Sequence, residues 1–317
     1  MRPFAVVVVL GTLAVRAAPA AADPNDLVLS RLGYPHTDAM GNITTVTGEP
    51  LEFRELASQL GVVLAPQLLT PADTLGFSGF QFTVDYASTT IDQHAPYWQA
   101  LQGTPPPSMN TIGFFARKGM WFPVPSIEVG VGAVHLIDSH DWMGQLYTKL
   151  ALNEGYHDLP LPSLAVRGAV SRLMTQSELD LTVASLDVEI SKHVGIGGTW
   201  RFDPFGGWNI LMIVPRSQVI DGTPNIDSLN NPTDSFNNFV FRDQSTIYRN
   251  RFFVGAKFQY YVFQLTLEAI YALKGSSVDN EPGTSMPCTL KSPTSACDAT
   301  DAAAAQTTLS MSAGFDF

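Results

Sequence analysis

The sequence has little charge, few basic residues, almost no cysteine and no long apolar run. No apolar stretch reaches the ~18 residues that a membrane-spanning helix needs, so such a helix is excluded. Lys and Arg number 18 against 29 Asp and Glu, a formal net charge of −11. No basic patch stands out, so nucleic acid is not an expected partner. Charged residues make up only 15% of the chain and form no runs, which argues against extended disorder outside loops. Two cysteines, Cys288 and Cys297, lie in a polar, proline-flanked stretch without further ligands for a metal. A disulfide stapling a loop is the favoured reading, provided the chain is exported.

The N-terminus points to export. Residues 1–22 read as a secretory signal: Arg2 supplies the positive start, Phe4 to Val15 the apolar stretch, and Ala20-Ala21-Ala22 the cleavage site. Arg16 and the short length argue against a membrane anchor, and no cysteine follows the cleavage site to carry a lipid. Loss of Arg2 and Arg16 would leave 16 basic against 29 acidic residues, a charge of −13.

Residues 23–74 form an N-terminal extension. Its first part, to residue 50, is polar and turn-rich and reads as having little order. Pro50 suits the first turn of a helix. Phe53, Leu56, Leu60, Val63 and Leu64 then share one helical face, until Pro66 ends the pattern.

Beyond residue 75 the period changes to two. Phe80, Phe82, Val84 and Tyr86 alternate with Gln81, Thr83, Asp85 and Ala87, sets that a strand sends to opposite faces. The alternation returns near residues 111–117, 127–133, 145–152, 164–171, 184–191, 251–259, 263–269 and 309–317. A tenth segment, 199–214, is interrupted by Pro204, Gly206 and Gly207, so a bulge or bend is expected there. In nearly every segment, charge is confined to one face. That favours a membrane barrel, apolar toward lipid and polar toward the lumen, over a soluble β-sandwich. The expected fold is all-β: a transmembrane antiparallel up-and-down β-barrel of about ten strands over residues 75–317, preceded by the short helix.

Loop lengths agree with that count. The long connections 92–108, 215–243 and 275–306 fall at one end, and short turns near 122–125, 194–198 and 259–261 at the other. This is the asymmetry of long outer loops and short periplasmic turns. Trp121, Phe122, Trp142, Tyr147, Trp200, Trp208, Tyr260 and Tyr261 lie near inferred strand ends, where an interfacial girdle would sit. Gly130 and Gly132 are read as relieving crowding in a curved wall.

The inferred lumen face carries Asp85, Glu128, Asp187, Glu189 and Glu268 together with Arg117, Lys149, Arg167, Arg251 and Lys257. Such balanced charge must pair or stay hydrated. About eight strands enclose a space that side chains just fill, so ten imply a narrow passage at most. The lumen is therefore either a polar conduit for small solutes or a packed interior.

The ending Thr-Leu-Ser-Met-Ser-Ala-Gly-Phe-Asp-Phe, with Phe317 last, resembles the C-terminal strand of bacterial outer-membrane β-barrel proteins. The resemblance implies surrounding outer-membrane lipid and recognition of the Phe317 strand by the barrel-assembly machinery. The segments Asp187 to Lys192 and Trp200 to Trp208 also look like a strand pair common in uncharacterised members. The early helix compares with the N-terminal plug of long-chain fatty-acid transporters. Those have more strands, so no ligand carries over, and the helix is placed either in the lumen or at the periplasmic mouth. Ten strands is also the number in omptin proteases, and Asp138-Ser139-His140-Asp141 offers an Asp-His pair. So short a match is weak, and neither enzymatic activity nor a cofactor is expected. The leading expectation is a narrow channel or transporter for a small solute. A structural or surface-interaction barrel with a filled lumen is second, and an outer-membrane protease third.

Overall fold

In the computed structural model, which describes residues 22–120, 126–154, 161–226, 237–290 and 296–317, strands with period-two patterning pair edge to edge until the last meets the first. They are β1 (Phe80–Thr90), β2 (Ser108–Met120), β3 (Ile127–Leu136), β4 (Trp142–Asn153), β5 (Ser163–Leu173), β6 (Leu179–Ser191), β7 (Trp200–Ser217), β8 (Ile247–Tyr260), β9 (Phe263–Ala272) and β10 (Gln306–Asp316). Each is antiparallel to its neighbours in sequence, and β10 closes on β1 from Thr308 opposite Thr89 to Asp316 opposite Gln81. Phe317 completes the seam by exchanging backbone hydrogen bonds with Phe80. A closed ten-stranded barrel leaves no open sheet edge, the condition for backbone to sit in hydrocarbon.

The wall sorts its side chains as strand geometry requires. Phe82, Val84, Phe114, Val131, Leu146, Leu186, Phe252, Leu267 and Met311 are exposed on the exterior. The intervening residues point inward and are buried. β7 runs unbroken through Pro204, Gly206 and Gly207, in continuous register with both β6 and β8. The bend expected there is absent. Gly207 is accommodated by close approach, since a Cβ would lie 2.1 Å from the Val188 carbonyl oxygen. An irregularity occurs instead between β4 and β5, near Ala151 and Asn153.

The glycines of β3 have a particular cause. A Cβ on Gly130 would lie 2.1 Å from the ring of Tyr147, and one on Gly132 2.3 Å from the ring of Phe115. Both rings point inward and fill the space over the glycines, so the wall can curve around a packed interior.

The connections β1–β2, β3–β4, β5–β6, β7–β8 and β9–β10 share one end of the barrel, called the outer end below. The strand-to-strand turns of the other end include the β8–β9 turn at Tyr261–Val262. Cys288 and Cys297 are bonded within the β9–β10 connection. Trp200, Tyr260, Tyr261, Phe263 and Phe315 are exposed around the inner rim, with Trp200 and Tyr260 rings 4.5 Å apart. Two of the girdle assignments need correction. Tyr147 is buried in the lumen, and Trp208 sits mid-strand opposite Phe252 and Val188. Trp121 and Phe122 lie outside the described residues, as do residues 1–21 of the expected signal segment.

Residues 23–50 are ordered, contrary to the reading of their composition. A 3-10 turn (Leu29–Leu32) leads into a hairpin of Gly33–Thr37 with Ile43–Gly48, paired from Gly33 opposite Gly48. The order comes from contact with the barrel. Helix α1 (Pro50–Val63) follows, with Pro50 at its start. It stops short of Pro66, whose ring disfavours helix in the residue before it.

Candidate functional site

The lumen holds the chain's own N-terminal extension. Phe53, Leu56, Ala57 and Leu60 of α1 are buried with Val134, Leu136, Leu173, Leu181, Val183, Leu211, Ile213 and Ile247, inward residues from the outer halves of the strands. This is an apolar core of the kind found inside soluble domains. Burial of each large side chain there contributes roughly 1.5–3 kcal/mol. Gln59 accepts a hydrogen bond from the Trp98 indole at 3.0 Å. Arg54 reaches Ser277 at 2.9 Å, and Ser58 donates to Asp301 at 2.8 Å.

Residues 64–75 then run from this core to the inner end, gripped through their backbone. The Leu64 carbonyl accepts from Ser171 at 2.8 Å, and the Leu68 carbonyl from Arg167 at 2.7 Å. The Leu69 N–H donates to Glu268 at 3.1 Å. Lys149 donates to the carbonyls of Pro71 and Asp73, each at 2.9 Å. The Ala72 N–H reaches Ser191 at 3.1 Å and the Leu75 N–H reaches Glu128 at 3.1 Å. An extended segment inside a barrel must satisfy its backbone groups somewhere, and here the wall's side chains do so.

All ten charged residues assigned to the lumen face lie inside and are buried. Arg117 pairs with Asp85 at 3.3 Å, Lys149 with Glu128 at 3.3 Å and Lys257 with Asp316 at 2.7 Å. Arg167 contacts both Asp187, at 2.6 Å, and Glu189, at 3.1 Å. Arg251 donates to Asn209 at 2.7 Å, and Asn209 in turn donates to Asp187. Tyr147 donates to Glu128 at 2.5 Å. Tyr147, on the same face of its strand as Lys149, also belongs to this interior, and so do Asn209, Asp203 and Arg249, which sequence reasoning does not place there. A cavity of ≈ 80 Å³ remains at the inner end, lined in part by Asp73, Lys149, Arg201, Lys257 and Asp316.

The outer mouth is crossed by residues 22–49. The Asn25 N–H bonds the Asp138 carbonyl, the Val28 N–H the Ala100 carbonyl, and the Leu29 N–H Glu178. Gly33 and Gly48 pack against Phe239 and Phe241. With the contacts of Arg54 and Ser58, the extension touches all five outer connections.

His140 is part of this anchorage. Its N–H and its ring Nδ1 both contact Asp26, at 2.8 and 2.9 Å, and Asp23 lies 3.5 Å from the ring. The His-carboxylate pair therefore joins two chain segments rather than two residues of the Asp138–Asp141 turn. Asp23, Asp26 and His140 bring potential ligand atoms within 4.8 Å of one another, and the three satisfy each other. The hydrogen bond and charge of Asp26, then the charge of Asp23, hold the imidazolium above its ordinary 6.5. Burial pushes the Asp26 carboxyl up, but the bonds from His140 outweigh it and hold the group below its ordinary 3.8. The sign follows from linkage. The histidine contribution is complete below pH 6.5 and is lost as pH rises through the raised value. The aspartate contribution is present above pH 3.8 and is lost as pH falls through the depressed value. Protease cleavage at Arg31 should accordingly be slowest between these limits and speed up on the alkaline side. His140→Ala should remove the alkaline limb.

The closed antiparallel barrel, its apolar exterior and its charge-paired inner half define an antiparallel β-barrel of the membrane-spanning type. No family model matches the chain, and no curated protein matches it. Among solved structures, its barrel is similar to Ail, the attachment invasion locus protein of Yersinia pestis. That match has 9% identity over 76% of this chain and 99% of the other, with a TM-score of 0.27. It is also similar to an outer membrane channel from Pseudomonas putida F1, at 12% identity over 80% and 100% of the two chains and a TM-score of 0.33. The outer membrane protein Omp33 of Acinetobacter baumannii matches at 10% identity over 75% and 99%, with a TM-score of 0.24. Likenesses this distant contribute nothing to the functional reading, which rests on the chain's own geometry.

Proposed function

We propose that this protein is exported to the bacterial outer membrane, inserts there by the barrel-assembly route, and acts through its outer surface rather than through its lumen. The observation that carries the reading is the apolar core between α1 and the outer halves of the strands, in which Phe53, Leu56 and Leu60 are each only 1% exposed. A plug that opens for each solute would have to expose that core to water every time, at roughly 1.5–3 kcal/mol per large side chain. The barrel is thus a rigid support. It displays an outer face formed by five connections and the N-terminal hairpin, and stapled at Cys288–Cys297. Planar-bilayer recording of the folded protein tests this: no conductance steps are expected, with folding verified by heat-modifiable gel migration. Reproducible steps from the intact protein would sink the reading.

A second reading, a narrow conduit for small solutes, draws on one feature. Residues 64–75 are held largely by polar bonds that water can replace, and they border the inner cavity. In that reading the segment shifts while α1 stays. Conductance that changes on Arg251→Gln or Glu268→Gln would favour it.

A further inference from the structure

The barrel exterior carries almost no charge. Along the described strands, formally charged exterior residues occur at Lys118, Arg172, Asp180 and Arg216. Lys118 lies at the inner end, where it donates to the Ser78 carbonyl at 3.0 Å. The other three are neighbours at the outer ends of β5, β6 and β7. Arg216 stands opposite Asp180, and Arg172 opposite Thr182. Arg172 is bonded to Asp180 at 2.8 Å, with its side chain 65% exposed. The Arg216 guanidinium has no partner among the described residues. Glu178 lines neither of the two clefts beside these arginines, and its carboxylate is turned to the Leu29 N–H at 3.1 Å. Two guanidiniums therefore face a single exterior carboxylate.

The surface between them is hollow. One cleft of ≈ 290 Å³ is lined by Arg172, Asp180, Thr182, Val214 and Arg216. It adjoins a second of ≈ 670 Å³ that shares Arg172 and Asp180 and adds Met174 and Gln218. Toward the bilayer centre the wall turns apolar at once, with Val170, Ala184 and Met212 side by side in register. A cationic cleft directly above an apolar strip matches a molecule with an anionic head and a hydrocarbon tail. Guanidinium pairs favour phosphate because their donors match its oxygens.

We propose that this cleft binds the phosphate headgroup of an anionic lipid in the outer leaflet, with Arg172 and Arg216 as donors and the acyl chain on the Val170–Ala184–Met212 strip. The proposal shares with the proposed function the placement of the long connections on the outer side, so that placement is tested separately. A maleimide that cannot cross the outer membrane should label Ser177→Cys on intact cells. Labelling only after the membrane is opened would overturn the outer-leaflet assignment and the proposal with it.

Binding is read by native mass spectrometry of the protein in neutral detergent. Short-chain phosphatidic acid is compared with phosphatidylcholine of the same chains, and inorganic phosphate serves as competitor. Retention of phosphatidic acid over phosphatidylcholine is expected, with a roughly tenfold loss of affinity for each guanidinium removed. Arg216→Gln is the cleanest variant, because Arg216 supports nothing inside the fold. Arg172→Gln/Arg216→Gln should abolish the preference, and Arg172→Lys/Arg216→Lys should restore part of it. Equal retention of the two lipids by the native protein, or no loss in Arg216→Gln, would overturn the proposal. Displacement by inorganic phosphate at matched concentration would also overturn it, because the site would then take free phosphate rather than a lipid head.

Discussion

Arg167→Met is expected to lower the stability of the barrel by about 3–5 kcal/mol, the cost of breaking a buried ion pair from one side. Arg167 is fully buried and contacts Asp187 at 2.6 Å, Glu189 at 3.1 Å and the Leu68 carbonyl at 2.7 Å. Its guanidinium also lies 5.5 Å from the centre of the Tyr147 ring. Methionine fills a similar volume but leaves two buried carboxylates and one buried carbonyl without their cation. Urea unfolding in lipid vesicles, compared with the native chain, reads the loss. Arg167→Met combined with Asp187→Asn and Glu189→Gln should recover most of it, since the charges then disappear together. A loss below about 1 kcal/mol for the single change would mean hydrated lumen charges rather than paired ones.

The same residue marks how far the sequence can be read. Arg167 is assigned to the lumen because it alternates with Leu164, Val166 and Val170 along one strand, and period two is a direct consequence of backbone geometry. The strand count and the sorting of long and short connections follow from the same signal. Asn209 and Asp203 escape it for a physical reason. Pro204, Gly206 and Gly207 look like a break, yet β7 carries them in register because neighbouring backbone and the Phe253 ring occupy the space beside Gly207. Arg249 escapes it because the alternation is apparent only from Arg251 onward. Lys149 also pairs with Glu128 across the strand, but the backbone partners of Lys149 and Glu268 are beyond reach altogether. They are backbone groups of residues 69, 71 and 73, and a carbonyl or N–H has the same identity in every residue. The order of residues 23–50 is hidden likewise, because it comes from surfaces contributed by four distant connections and not from local propensity.

Leu60→Asp should turn a silent barrel into a conducting one while leaving its wall intact. Leu60 is 1% exposed within the apolar core of α1, and an unpaired carboxylate there costs several kcal/mol in lost apolar burial and desolvation. The strand ladders do not depend on the helix backbone, because each strand takes its partners from its two neighbours. Expelling α1 is therefore the way to relieve the strain, and unfolding the barrel is not required. Residues 64–75 should follow it. Their bonds to Arg167, Lys149 and Glu268 are each worth only about 0.5–3 kcal/mol net and exchange readily with water. Heat-modifiable migration should stay native-like, protease should now cut at Arg54, and bilayer recordings should show steps. Leu60→Met, which keeps the volume and the apolar character, should remain silent. If Leu60→Asp is cut at Arg54 yet stays silent, the seal lies in the polar grip on residues 64–75 rather than in the helix core. The lumen charges would then be the element that closes the barrel, and the reading based on the core would fall.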